Sequence, residues 1–404
     1  MSATVRLHRL TMVAEDDGVM IGRPDTGSYA VFPEEGAQAL RMFGDGARVD
    51  EVAAWYERAY GAPLDMDDFL ETLADLGFLH TGEPVPEAGR VRWQRLGQLV
   101  FSWPAWCAYG VVVAVAVTVM VRDPGLRPSY HQVFFTHYLS LIPLTVFALA
   151  IPCIVIHEGA HALAGRRLGL PSTLGIGRRL YYLVAETRLD SLLSVERRKR
   201  YLPFCAGMLA DVVLLCGLTL LSLAIEDFGF PSWVHKLCLA VAFTCLLRII
   251  WQFLFYLETD LYYVVTTAAR CTDLQNATRF RIRGGVRRAL RRPAPDVEGS
   301  AFSERDRAVA RWYAPLLIAG YGFSLASLAW AGLPTAVHFW STIADRLGGG
   351  DTPLWDLFDA AVFIALSGLQ IGLLVHVTLR DRRARRAPGA PAHPSTPVPQ
   401  GDLS

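Results

Sequence analysis

Lysine is nearly missing from this 404-residue chain: apart from Lys199 and Lys236, its 39 basic residues are all Arg. Charge is scarce as well, at 19% of residues against about 25% in ordinary soluble domains, whereas 52% are hydrophobic. This composition excludes a disordered chain, and a formal net charge of +1 gives no case for a nucleic-acid partner. The seven Cys form no CxxC pair, and Cys107, Cys153, Cys205, Cys216, Cys238 and Cys245 lie inside apolar stretches. They read as small buried hydrophobes, which excludes a disulfide or zinc-thiolate framework. A signal peptide is also lacking: Arg6, His8 and Arg9 interrupt the first ten residues, so this end is expected to be made and kept in the cytosol.

What is present falls into regions with different solvents. Residues 1–90 read as a small cytosolic domain. Val19 to Ile21 and Ser28 to Phe32 flank the turn formers Pro24 to Gly27, which predicts a hairpin. Helical spacing of apolar residues follows over Glu34 to Phe43, Val49 to Tyr60 and Asp65 to Leu76, with Asp65 as N-cap and Gly77 as stop. Residues 91–380 read as a membrane domain. A lipid core about 30 Å thick needs about 20 apolar residues in a helix. Six stretches qualify: Leu99 to Val121, Tyr138 to Ala164, Phe204 to Ile225, Val234 to Leu257 or on to Ala269, Ala314 to Leu333, and Leu357 to Leu379. Residues 381–404 read as a basic, then Pro-rich, disordered tail. The expected fold class is therefore an α-helical polytopic membrane protein with a small N-terminal α+β, winged-helix-like cytosolic domain.

Arginine sets the orientation. The segments after the second and fourth spans carry Arg166, Arg167, Arg178, Arg179, Arg197, Arg198 and Arg200, then Arg279, Arg281, Arg283, Arg287, Arg288, Arg291 and Arg292. Cation-rich loops stay in the cytoplasm, so both termini are expected inside and the number of spans even. The run Arg279 to Arg292 is expected to meet lipid headgroups.

The second apolar run contains His157-Glu158-Gly159-Ala160-His161. Residues four apart share a helix face, so both imidazoles can bind one ion while Glu158 reaches the water beside it. Zinc suits that arrangement, and three protein ligands would leave one position open. Ionisable groups in a lipid-buried helix are costly and are functional by default. The third ligand is open among Asp211, Glu258 and Asp260 at this point.

A His-Glu-x-x-His in a membrane helix, a basic loop, the stretch Ala206-Gly207-Met208-Leu209-Ala210-Asp211 and a later Asp together resemble the site-2-protease type of intramembrane zinc metalloproteases. Phe255 to Tyr263 is similar to that family's Asp-Gly-Tyr-Tyr element, which implies Asp260 as third ligand, although Leu261 stands where Gly is usual and Met208 where Pro is common. The resemblance implies Zn2+ held by His157, His161 and Asp260, with Glu158 as catalytic base.

The N-terminal hairpin, the turn into Ser28-Tyr29 and the closing Leu76-Gly77-Phe78-Leu79 are similar to the PqqD-like peptide-recognition domains. That resemblance implies a leader peptide pairing with the edge strand at Ser28, Tyr29 and Val31, beside Phe69 and Leu73 of the third helix. Joined, the two imply a protease of the bacterial cytoplasmic membrane. It would remove the leader of a ribosomally made precursor peptide, in contact with membrane lipid and with other peptide-tailoring enzymes. Two alternatives remain: a protease of a membrane-anchored regulatory protein, and a non-catalytic escort or immunity protein.

Overall fold

In a computed structural model of the chain, the described residues are 5–15, 18–24, 26, 28–80, 91–136, 141–179, 182–291, 302–327, 329, 330, 337, 341 and 354–384. The boundary expected near residue 90 and most of the tail lie outside them.

The N-terminal region is a three-stranded antiparallel sheet with three helices. The expected hairpin is present as β2 (Gly18–Arg23) and β3 (Ser28–Phe32), in register Ile21 opposite Ala30. A further strand, β1 (Thr11–Glu15), pairs with the other side of β2, so the sheet order is β1-β2-β3. One face of the sheet, with Val19, Ile21, Ala30 and Phe32, closes on α1 (Glu34–Gly44) and α3 (Met66–Asp75) around Leu40, Leu73 and Phe78. Between them, α2 (Val49–Tyr60) ends at Gly61, whose φ of 76° is a left-handed stop. Asp65 caps α3 as expected, accepting from the amides of Asp67 and Asp68. The opposite face is covered too. Met20 and Tyr29 are buried there, and β1 and β2 lie against a 3-10 turn, Asp190–Ser194, which belongs to the membrane region.

The rest is mainly helical. After the short α4 (Gln94–Val100), four helices among the described residues are long and apolar enough to cross a membrane. They are α5 (Trp103–Arg122), α6 (Leu141–Arg167), α7 (Arg197–Asp227) and α8 (Ser232–Trp251). Their outward side chains are apolar and exposed, as at Val111, Val121, Ile151, Val155, Leu221 and Ile250. Such a surface suits lipid and not water. The expectation for the fourth span is corrected: no helix runs through to Ala269. α8 stops at Trp251, a 3-10 turn spans Phe255–Leu257, Glu258 takes a left-handed φ of 54°, and a separate α9 (Asp260–Ala269) begins. The break is held by the Thr259 hydroxyl donating to the Gln252 carbonyl at 2.6 Å, and it puts Asp260 in the first turn of α9.

The basic helix α10 (Leu274–Ala289) then packs along α11 (Glu304–Ser327), and α12 (Leu354–Ala384) closes the described chain. α11 and α12 lie in the segments expected as fifth and sixth spans, but α11 ends at Ser327, and 328 and 331–333 of the fifth lie outside the described residues. A two-stranded hairpin that sequence reading missed, β4 (Thr173–Arg179) with β5 (Tyr182–Arg188), stands between α6 and α7.

Candidate metal centre

The site is assembled by α6, α7, α9 and β5. His157 and His161 lie one turn apart on α6 and are 5% and 6% exposed. Their Nε2 atoms are 3.2 Å apart, and Asp260 Oδ2 is 3.2 Å from that of His157 and 3.1 Å from that of His161. One donor atom from each of the three lies within 4.8 Å of the others. Four ligands at about 2.0–2.1 Å from a tetrahedral zinc stand about 3.3 Å from one another. The observed triangle has that edge.

The outer nitrogens decide what the inner ones offer. His157 Nδ1 is 2.9 Å from Asp211 Oδ2, and His161 Nδ1 is 2.7 Å from the Pro203 carbonyl oxygen. A carbonyl can only accept, and so can a carboxylate, so each Nδ1 carries the proton, and a ring that is neutral then turns its Nε2 lone pair inward. With both rings neutral, the three inward atoms are lone-pair donors that repel one another unless a cation joins them. Carboxylate-to-His contacts of this kind are what orient a metal-binding imidazole.

The remaining candidates fall into place around this triangle. Asp211, fully buried on α7, sits behind the His157 ring, where it also takes Nε of Arg248 at 3.1 Å and the Arg248 Nη2. It therefore stands behind the His157 ring and outside the triangle. Glu258 pairs with Arg279 at 3.0 Å, at the other end of the turn that delivers Asp260. Glu158, 9% exposed, is held from β5: the Thr187 hydroxyl lies 2.8 Å from its Oε2 and 2.9 Å from its backbone oxygen. Asp260 is steadied in turn by its own amide, which donates to Gln252 Oε1 at 3.0 Å.

One wall of the site is made of nothing. A Cβ on Gly207 of α7 would fall 2.2 Å from His161 Nε2 and 2.5 Å from His157 Nε2. The lack of a side chain there is what leaves the two inner nitrogens open to a common ligand.

No protein-family model, no curated protein and no solved structure matches the chain.

In the N-terminal domain, the expected leader-contact residues divide. Val31 is 40% exposed on the edge strand β3. Ser28 donates its hydroxyl to the Leu76 carbonyl at 2.9 Å, and the Tyr29 ring is buried over Gly22. Phe69 is partly buried and packs edge-on against Phe32. Leu73, expected along a groove, is instead completely buried, because its turn of α3 points at the sheet. Sequence reading did not single out Thr187, Pro203, Arg248 or Gln252. Arg248, a cation inside an apolar run, is the one that carried a signal there.

Proposed function

We propose that this chain is an intramembrane zinc endopeptidase that removes the leader of a ribosomally made precursor peptide. The observation that carries the reading is the triangle of His157 Nε2, His161 Nε2 and Asp260 Oδ2, at tetrahedral spacing and with both His buried, with Glu158 next in sequence to a ligand. Zinc held there would supply a Lewis acid and lower the pKa of water toward about 7. The protein's own groups do the rest. Glu158, fixed by Thr187, takes the proton of the attacking water and passes it to the departing amine. Asp211 and the Pro203 carbonyl keep the two imidazoles in the binding tautomer. The apolar helices around the site keep out bulk water, so a peptide segment can be cut only when delivered to it.

In this reading α11 and α12 complete six spans with both termini in the bacterial cytoplasm. The N-terminal domain selects the substrate: β3 is an edge strand with Val31 exposed, a place where an extended leader can add a strand. The test is Glu158→Gln in the full-length protein in lipid nanodiscs, with precursor cleavage followed by mass spectrometry. The expected result is full zinc content with no cleavage. Cleavage at the wild-type rate would refute the proteolytic role. Release of isotope-labelled leader by unlabelled leader in excess tests substrate selection separately.

A further inference from the structure

α7 carries three groups that shape the site, the Pro203 carbonyl, Gly207 and Asp211, yet its own start is poorly made. Its N-cap, Glu196, makes no side-chain cap to the helix amides. Its first turn is Arg197-Arg198-Lys199-Arg200, four cations at the positive end of the helix dipole, where anions are favoured. Pro203 has no N–H to return to the Lys199 carbonyl, so the turn before it is tied weakly to the rest of the helix. Such a segment is held by whatever grips it from outside.

That grip comes from the N-terminal domain. Glu15, the last residue of β1, accepts from Arg200 Nη2 at 2.8 Å and from Arg197 Nη2. The pair is buried, with the side chains of Arg200 and Glu15 8% and 11% exposed. The Arg200 guanidinium is locked further by the carbonyls of Leu193, at 3.0 Å, and Val195, at 2.8 Å. Beside it, the Ser191 hydroxyl donates to the Pro24 carbonyl at 3.1 Å. Three residues beyond Arg200 is Pro203, whose carbonyl fixes His161.

We propose that Glu15 is a positioning residue for the metal centre: Glu196 pairs with Lys199, and Glu15 supplies from the N-terminal domain the carboxylate for Arg197 and Arg200, and so fixes the Pro203 carbonyl that sets His161. The domain is then part of the catalytic framework as well as a substrate receptor. This rests on the zinc reading above.

The experiment titrates metal-stripped, full-length protein with Zn2+ against a chromophoric chelator and records the visible d–d bands after loading with Co2+. Wild type, Glu15→Gln, Glu15→Asp and Ser191→Ala are compared. Glu15→Gln is expected to weaken zinc binding about ten-fold, the low end for changes around a metal ligand, and to alter the Co2+ bands. Glu15→Asp, which keeps the charge, recovers most of the affinity. Ser191→Ala, which removes the Pro24 bond from the same seam and leaves Glu15 with both arginines, stays within about two-fold of wild type on the same scale. Wild-type affinity and spectrum in Glu15→Gln overturn the proposal. An equal loss in Ser191→Ala also overturns it, since docking alone would then be responsible. A wild-type protein that binds no metal refutes the zinc reading itself, which separates the two failures.

Discussion

Replacing Gly207 by Ala adds one methyl group where the site has no room for it. The new carbon would lie 2.2 Å from His161 Nε2, 2.5 Å from His157 Nε2 and 2.6 Å from His157 Cε1, about 1 Å inside ordinary contact at about 3.5 Å. Neither ring can retreat freely, because each is pinned at Nδ1, one by Asp211 and one by the Pro203 carbonyl. Two effects oppose each other in the fold. Ala is the better helix former by about 1 kcal/mol, while forcing a methyl into a packed interior costs about 1–3 kcal/mol. The helix therefore survives with a small net loss, but the nitrogens are pushed apart or covered. A ligand displaced by about 1 Å loses far more binding than the fold loses stability, and affinity for zinc should fall by at least about 100-fold. The assay is metal content by plasma mass spectrometry after dialysis against a weak chelator. Gly217→Ala serves as control: it is ten residues along the same helix, and nothing lies within 4 Å of the position its Cβ would take. Full zinc in Gly207→Ala, or equal losses in both variants, would refute the assignment of the site to these imidazoles.

Other changes separate holding the metal from using it. Asp211→Asn removes the charge behind His157 and leaves Arg248 without its carboxylate, so zinc affinity should drop by about 10–100-fold in the same assay. Thr187→Val frees Glu158 without touching a ligand; zinc content should stay at the wild-type level while the turnover rate falls by about ten-fold, measured on precursor cleavage. Leu73→Ala opens a hole in the N-terminal core and should lower the stability of that domain by about 2–5 kcal/mol, read from chemical unfolding monitored there. Asp65→Ala removes the cap of α3 and should cost about 1 kcal/mol in the same experiment.

Local patterns were legible in the sequence, and contacts across the chain were not. The β2–β3 hairpin and helices α1 to α3 follow from turn formers and helical spacing, so their limits could be read almost to the residue. β1 could not, because its alternation is short and ends in Glu15, whose purpose is an ion pair 185 residues away at Arg200. The β4–β5 hairpin was hidden in a segment read for its charge, although Leu174 and Ile176 alternate with Gly. The expected groove face of α3 failed at Leu73 because a helix pattern gives the spacing of apolar residues and not which of them meets the sheet. The end of α8 was misjudged because the apolar composition continues through Phe253 and Leu257, while the break depends on hydrogen bonds of Thr259 and Gln252 that hydropathy does not register. Among Asp211, Glu258 and Asp260, depth in the membrane could not choose. The structure distinguishes them by what each faces: a ring nitrogen from behind together with Arg248, Arg279, and two imidazoles from the front.

Charge balance gives an independent reason to expect a dication in the triangle. Formally, Asp211, Asp260 and Glu158 bring three negative charges to the site, and Arg248 brings one positive charge. Two further positive charges are needed for neutrality among lipid-spanning helices, where an unbalanced charge is expensive. Two imidazolium protons would supply them, but the rings of His157 and His161 have centroids 4.9 Å apart. Like charges at that separation repel by about 3 kcal/mol at an effective dielectric constant of about 20. Both N–H groups would also compete for Asp260 Oδ2. A single doubly charged ion balances the same deficit with no such repulsion and satisfies all three inward lone pairs together. Loading with Zn2+ should therefore raise the thermal unfolding temperature of wild type, with Gly207→Ala unmoved under identical conditions.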